Sequence, residues 1–273
     1  MKKIGFLSFG HYRDVPGARV RTGGDSLRQS VELAVAAEQA GMDGAWFRVH
    51  HFEKSLGAPT ALLAAAGART STIDLGTGVV DMRYENPLTL AENIASADLI
   101  SQGRVQLGVS RGSPEAAVDG QAAFGMDKQP GETWGEVARS RTERFRQAVS
   151  GTPMARSQRA DLQVEPQSPG LNERIWWGAG TVATGEWAAD KGYHLLSSTL
   201  MLGDDGRPFD VQQAEQLMRY RERYAASGRT TGGRAAVTRP VFPITDETDR
   251  RYFGTSDEQG DGRGILDNSK AVS

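Results

Sequence analysis

The sequence predicts an α/β fold in which parallel strands alternate with helices, as in a (β/α) barrel that lacks its last strand and helix. Seven strand-like segments are separated by helical or crossover segments, which is the pattern of βαβ units. Glycines and polar side chains follow the strand ends, where such folds bind ligands. A length of 273 residues fits a single barrel domain over residues 1–273.

The predicted strands are short apolar runs rich in β-branched or aromatic residues. They are Ile4–Gly10, Gly44–Val49, Ile73–Val80, Arg104–Val109, Ile175–Ala179, Tyr193–Ser198 and Ala235–Val241. A closed barrel needs an eighth strand. The tail Thr255–Ser273 consists mostly of Gly, Asp, Ser and Glu, so we expect no strand there.

The predicted helices are identified by N-caps, by proline at the first helical position or by an apolar face. They span about 25–41, 59–70, 86–103, 134–148, 182–191 and 210–228. Between Gly151 and Gly170 the sequence is rich in Pro, Ser and Gln. We expect a loop or short hairpin there, acting as a lid or insertion at the barrel mouth.

Composition excludes several classes of protein. The chain carries 32 basic and 34 acidic residues without a dense basic run, which argues against nucleic-acid binding. Zero cysteines exclude disulfides and a thiol nucleophile and fit the cytoplasm. The apolar runs are far shorter than the ~20 residues that cross a bilayer. We expect no metal site, because the histidines lack acidic partners at ligand spacing.

A glycine-containing turn leads from the fifth predicted strand into a helix. In the segment Trp177–Thr184, Gly178 and Gly180 precede Thr181 and Thr184 at the helix start. The free amides of a helix N-terminus, with two hydroxyls beside them, can bind a phosphate. The alternative is that the glycines only permit a tight βα turn.

Further polar residues after the strand ends are candidates for ligand binding or catalysis. Arg111 follows the fourth strand and can complete an anion site with a bidentate contact, or else pair with Asp or Glu at the barrel mouth. His50 and His51 end the second strand, where period-two alternation sends them to opposite sides. His50 is either a general base or a packing histidine. Asp81, Arg83 and Glu85 shape a pocket or form solvated ion pairs.

Motifs in the same order characterise a known family, the bacterial luciferase-like flavin-dependent oxidoreductases, which this chain resembles from Ile4 to about Gly254. The motifs are 37–41 (AEQAG), 48–52 (RVHHF), 75–79 (LGTGV), 85–87 (ENP), 106–112 (QLGVSRG) and 184–189 (TGEWAA).

The resemblance implies a TIM-type barrel that binds reduced FMN at the carboxyl ends of its strands. Oxygen would form a C4a-hydroperoxyflavin that oxidises an aldehyde, an alkane or a similar small organic substrate. A separate flavin reductase would supply the reduced FMN, and the chain would form a homodimer. The resemblance makes His50 the catalytic base and places Gly78 and Val79, joined by a cis peptide bond, beside the flavin ring. Cofactor-binding positions also include Ser110, Arg111, Gly180, Thr181 and Thr184.

Three departures from the family pattern follow. Val49 stands where the family often has an acid, and Ser110 replaces a reactive cysteine. Family members continue for some tens of residues beyond Ser273, so we expect the chain to be truncated. An alternative function keeps the fold but uses the deazaflavin F420 for hydride transfer. Another is a non-catalytic flavin-binding protein.

Overall fold

Strands and helices alternate along the described chain, as the sequence predicts. The computed structural model describes residues 2–113, 117–199, 206–229, 232–239, 241–243, 246–247 and 270–272. The chain forms two compact units, Met1–Gly178 and Ala179–Ser273. A single domain over residues 1–273 stays a prediction.

The first unit contains eight strands and five α-helices in its described part. The strands are β1 (Gly5–Ser8), β2 (Gly44–Phe47), β3 (Asp74–Thr77), β4 (Val80–Asp81), β5 (Val105–Ser110), β6 (Ala155–Arg156), β7 (Asp161–Leu162) and β8 (Ile175–Ala179), whose last residue belongs to the second unit. The helices are α1 (Gly23–Gln39), α2 (Pro59–Arg69), α3 (Pro87–Ile100), α4 (Gly120–Ala123) and α5 (Trp134–Val149), and a 3₁₀ turn spans Leu171–Glu173.

All sheet neighbours of the first unit, apart from one hairpin, pair in parallel. The strand order is β1-β2-β3-β5-β8, and β4 pairs with β5. The α/β fold class and five of the predicted strands are thereby confirmed. Strands β6 and β7 form an exposed antiparallel hairpin, as expected for the 151–170 segment, while its role as a lid stays a prediction.

Local sequence explains where the helices begin. Thr22 Oγ1 accepts a hydrogen bond from the Asp25 amide (3.1 Å), and Asp25 Oδ2 accepts one from the Thr22 amide (3.0 Å). This capping box starts α1 at Gly23, two residues earlier than predicted. Asn86 caps α3, and Pro59 and Pro87 occupy first helical positions, as predicted.

Buried polar and aromatic groups fix the centre of the sheet. Thr77 Oγ1 donates to Gly108 O (2.7 Å) and accepts from the Gly108 amide (3.0 Å), which ties β3 to β5. The rings of Trp46 and Trp176 meet edge to face at 5.4 Å. A Cβ on Gly76 would lie 2.2 Å from the Trp46 ring, so only glycine fits beneath this indole.

The second unit pairs two helices with short parallel strands. Its elements are α6 (Val182–Lys191), β9 (His194–Ser197), α7 (Phe209–Ala226), β10 (Ala235–Val237), β11 (Val241–Pro243) and β12 (Lys270–Val272). Helix α6 packs against α7, β9 pairs with β10, and β11 pairs with β12. Among the described residues, no helix combines the length and apolarity needed to cross a membrane.

Two sequence-based expectations about the second unit were wrong. The strand predicted over Ala235–Val241 ends at Val237, and a separate strand begins at Val241. Residues 270–272 form a strand in the tail where none was expected, although most of that tail lies outside the described residues.

One carboxylate holds the turn between α2 and β3. Glu38 Oε1 accepts from the amides of Thr72 (2.6 Å), Ser71 (2.8 Å) and Ile73 (3.0 Å). Partial burial acts to raise the pKa of Glu38, but these hydrogen bonds outweigh it and lower the pKa to about 2.

We predict that Glu38→Gln lowers the free energy of unfolding at pH 7. Because the pKa of Glu38 is lower in the folded state than in the unfolded chain, its contribution is present above the ordinary pKa of 4.5 and is lost as the pH falls towards about 2. Denaturant titrations from pH 7 to pH 3 should therefore show the two proteins converging on the acid side. Glu32→Gln, on the same helix in an exposed pair with Arg69, is the control, and an equal loss in both variants would contradict the prediction.

Candidate functional site

The segment between β3 and β4 contains a non-prolyl cis peptide bond. It joins Gly78 to Val79, as the resemblance implied. The Gly78 amide donates to Phe47 O (2.8 Å), which links this segment to the end of β2. A Cβ on Gly178 would lie 3.2 Å from both Val79 Cγ1 and Ser110 Cβ. The structure therefore brings Gly78, Val79 and Ser110 together at the carboxyl ends of their strands.

A buried ion pair holds the loop that follows β5. The Arg83 guanidinium contacts both oxygens of Asp81 and donates to Ser113 O (2.8 Å). The two side chains are 13% and 4% exposed, so the expectation of a solvated pair was wrong. In the loop itself, Ser110 Oγ accepts from the Gly112 amide (2.8 Å).

Gly112 is required by this arrangement. Its φ of +78° lies in the region that favours glycine. A Cβ at this position would lie 1.9 Å from Asp81 Oδ2. The loop carrying Ser110 and Arg111 is therefore shaped both by its backbone and by the ion pair.

Arg111 lies exposed on this loop. It makes no ion pair or hydrogen bond with any residue that the structure describes, in contrast to Arg83, which follows the neighbouring strand β4. The alternative in which Arg111 pairs with Asp or Glu at the barrel mouth therefore finds no support in the described part of the chain.

His50 has a side-chain partner that the sequence analysis missed. Arg48 Nε donates to His50 Nε2 over 2.7 Å, and Glu53 Oε1 lies 4.0 Å from His50 Nδ1. Burial lowers the pKa of Arg48, while the Glu53 carboxylate acts in the opposite direction. The sequence does carry a signal for this contact, because Arg48 and His50 are two residues apart and such residues lie on the same face of an extended segment.

His51 has different neighbours from His50, as the alternation predicts. Its ring is 4.3 Å from that of Tyr84 and 5.0 Å from that of Phe124. Phe52, with a φ of +57°, is 59% exposed and meets Phe124 edge to face. The second histidine thus packs within an aromatic cluster.

A cavity of about 480 Å³ adjoins the ends of β1 and β2. Its lining residues are His11, Tyr12, Arg13, Glu53 and Lys54. Glu53 therefore lines the cavity and also faces His50. No group of three or more His, Cys, Asp or Glu side chains placed to hold a metal ion occurs among the residues described.

Glu85 lies in the loop between β4 and α3, and its carboxyl group has a shifted pKa. Burial and, to a lesser extent, the nearby Asp81 carboxylate raise the pKa of Glu85 to about 7, and Arg141 acts against this shift. Arg141 also donates to Arg83 O (2.6 Å), so α5 braces the same loop. Glu85 is thus half-buried and not part of a solvated ion pair.

In the second unit, the N-terminus of α6 gathers the remaining predicted residues. Thr181 Oγ1 accepts from the Thr184 amide (3.2 Å), and the two hydroxyl oxygens lie 2.9 Å apart. This capping box uses only Thr181 and Thr184, so it does not engage the first-turn amides of Val182 and Ala183. Gly180, Thr181 and Thr184 are therefore together at a helix start suited to an anion.

Gln216, a buried residue of α7, fixes this turn and was missed by the sequence analysis. Its Nε2 donates to Thr181 O (2.9 Å) and Ala179 O (3.1 Å), and its Oε1 accepts from Ser197 Oγ (2.6 Å). The signal in the sequence was glutamine at helical spacing, Gln212, Gln213 and Gln216, on the face of α7 that should be apolar.

The first unit is a parallel α/β sheet with polar groups after the carboxyl ends of its strands, which is where α/β enzymes bind their ligands. The family model described as luciferase-like monooxygenase matches residues 5–252. The chain belongs to the luciferase-like monooxygenase family.

Three relatives illustrate the range of similarity. The oxygenase component of the flavin-dependent trigonelline monooxygenase of Acinetobacter baylyi is 28% identical over 191 residues, which cover 65% of this chain and 50% of that protein. An F420-dependent glucose-6-phosphate dehydrogenase of Amycolatopsis mediterranei is 37% identical over 34% of this chain and 31% of its own. The crystal structure of monooxygenase RslO1 of Streptomyces bottropensis superimposes with a TM-score of 0.71 at 24% identity, over 93% of this chain and 75% of that one.

These comparisons confirm the family and the fold class. The chain spans half or less of the length of the curated relatives it matches.

We predict that Gln216→Met lowers the free energy of unfolding by about 2 kcal/mol, because it removes three hydrogen bonds and takes away the acceptor of the buried Ser197 hydroxyl. Chemical denaturation measures this loss. Gln147→Met, the same substitution at an exposed position of α5, should be nearly neutral. Equal stability of the Gln216 variant and wild type would contradict the role of this glutamine.

Proposed function

We propose that this chain is the oxygenase component of a two-component FMN-dependent monooxygenase acting on a small organic substrate. The observation that carries the proposal is the 191-residue match to a protein named as the oxygenase component of a flavin-dependent monooxygenase. An oxygenase component requires a separate flavin reductase as its source of reduced FMN. A homodimer and a cytoplasmic location remain predictions.

The residues present fit an anionic flavin. The α6 N-terminus supplies amides outside its capping box and the hydroxyls of Thr181 and Thr184, and Arg111 supplies a guanidinium. Because Gly178 has no side chain, the space beside Val79 and Ser110 is not occupied by one. In the second unit, we propose the α6 N-terminus with Thr181 and Thr184 as phosphate-binding groups. In the first unit, we propose Arg111 as an anion-binding residue and Gly78, Val79 and Ser110 as contacts of the ring system.

When bound, reduced FMN would supply two electrons to O₂, so that one oxygen atom enters the substrate and the other leaves as water. His50, at the end of β2 with a side chain 13% exposed, is the proposed catalytic residue. The protein's own contribution is to bind the phosphate, orient the ring system and position His50.

F420-dependent hydride transfer is the second candidate function. It is favoured by relatives of this family that are named F420-dependent glucose-6-phosphate dehydrogenases, one of them 41% identical over 92 residues. The same phosphate-binding groups would serve either cofactor.

Cofactor titration should distinguish the two candidates and test Arg111. We predict that reduced FMN binds and that Arg111→Ala raises its dissociation constant about ten- to a hundredfold, since a charge-assisted hydrogen bond is lost. Anaerobic titrations followed by fluorescence, with reduced FMN and with F420, provide the measurement. Arg144→Ala removes the same charge from an exposed site on α5 and should leave binding unchanged. Tight binding of F420 with none of FMN would overturn the proposal.

We further predict that His50→Ala slows the reoxidation of bound reduced FMN by O₂ or changes its course, while FMN affinity is retained. Rapid mixing of the anaerobic complex with oxygenated buffer measures this. Gln147→Ala, at an exposed position of α5, is the control. If wild type and the His50 variant reoxidise identically and neither oxidises any of a panel of aldehydes, a non-catalytic flavin-binding protein explains the data better.

A further inference from the structure

The contact between Arg48 and His50 restricts what the histidine can do. Arg48 Nε donates to His50 Nε2 over 2.7 Å. A guanidinium has only donors, so this nitrogen of His50 must present its lone pair. The neutral ring then carries its single hydrogen on Nδ1. If both ring nitrogens carried a hydrogen, the Nε2–H of His50 would face the Nε–H of Arg48, and the hydrogen bond between them would be lost.

Arg48 and His50 are both held in place by the backbone. The Arg48 amide donates to Ser8 O (2.9 Å), and the His50 amide donates to Leu56 O (3.0 Å). The Arg48 guanidinium also lies 4.9 Å from the centre of the Phe9 ring. Arginine remains protonated at any physiological pH, so its donation to Nε2 persists.

The other ring nitrogen has a carboxylate nearby. Glu53 Oε1 lies 4.0 Å from Nδ1, beyond hydrogen-bond distance, and Glu53 lines the cavity beside β1 and β2. A hydrogen on Nδ1 is therefore close to a negative charge, whereas the lone pair on Nε2 is already engaged by Arg48. This arrangement suits a hydrogen-bond donor and not a general base, which needs an open lone pair.

We propose that Arg48 is a positioning residue that fixes His50 as the Nδ1–H tautomer, so that His50 acts as a hydrogen-bond donor through Nδ1. The use of this hydrogen in turnover rests on the proposed function, whereas the tautomer does not. The role replaces the general base that the family resemblance implied for His50.

Nuclear magnetic resonance can read the tautomer directly. The chain has four histidines, so ¹⁵N-histidine labelling with a long-range ¹H–¹⁵N correlation gives few signals, and His50→Gln assigns the one of interest. We expect the wild-type spectrum to show His50 with its hydrogen on Nδ1. An Nε2–H tautomer in the wild-type protein would overturn the proposal without any variant.

Two Arg48 variants test the cause. Arg48→Met keeps much of the side-chain volume but removes the donor, and we expect the ratio of Nδ1–H to Nε2–H to fall at least about tenfold. Arg48→Lys retains a cationic donor and should keep the Nδ1–H form. Arg28→Met, which breaks an exposed pair with Asp25 on α1, should change nothing. An unchanged ratio in Arg48→Met would show that Arg48 does not set the tautomer.

A kinetic comparison tests the proposed function separately. The amide nitrogen of asparagine lies near the position of Nδ1, and that of glutamine nearer the position of Nε2. His50→Asn should therefore reoxidise bound reduced FMN at a rate closer to wild type than His50→Gln does. Equal rates in both variants and wild type would remove the catalytic role of His50, while the spectra would still decide the role of Arg48.

Discussion

Parallel pairing of β1, β2, β3, β5 and β8 is the constraint on which the rest of the first unit depends. Because each strand runs in the same direction, each chain segment that follows a strand emerges at the same edge. The Gly78–Val79 bond and Ser110 lie close together for this reason, although more than 30 residues separate them in the sequence, and His50 follows the neighbouring strand β2. The sheet itself is fixed by buried side chains such as Thr77 and Trp176, which leaves the loops free to carry chemistry.

The loops at this edge of the sheet need stabilising contacts, and in this chain buried polar side chains provide them. In the first unit, the Asp81–Arg83 pair binds the carbonyl of Ser113 and fills the space beside Gly112. In the second unit, Gln216 plays the corresponding part for the turn before α6. Each is costly to bury and is compensated by several hydrogen bonds, so each specifies one loop conformation. Rigid loops in turn reduce the ordering cost of binding a ligand.

The strands and most helices could be predicted from the sequence because local signals agree with the fold: apolar runs, Asn86–Pro87, Pro59 and the glycine turn before α6. The cis bond at Gly78–Val79 was predictable only through the family resemblance, since no local pattern marks it. The partners of the site residues were not predictable. Gln216 reaches Thr181 from 35 residues away, and the exposure of Arg111 depends on which carboxylates the fold brings near it.

The pair Arg48–His50 shows how one departure from the family pattern changes a site. Where the family often has an acid before the histidines, this chain has Val49, and the charged neighbour of His50 is Arg48 instead. A carboxylate accepts hydrogen bonds and so selects a ring that presents N–H to it, whereas a guanidinium donates and selects a ring nitrogen with a lone pair. The same imidazole at the same strand end therefore presents different atoms to a ligand. In this chain Arg48 occupies the lone pair of Nε2, and the acidic side chain near the ring is Glu53, 4.0 Å from the opposite nitrogen.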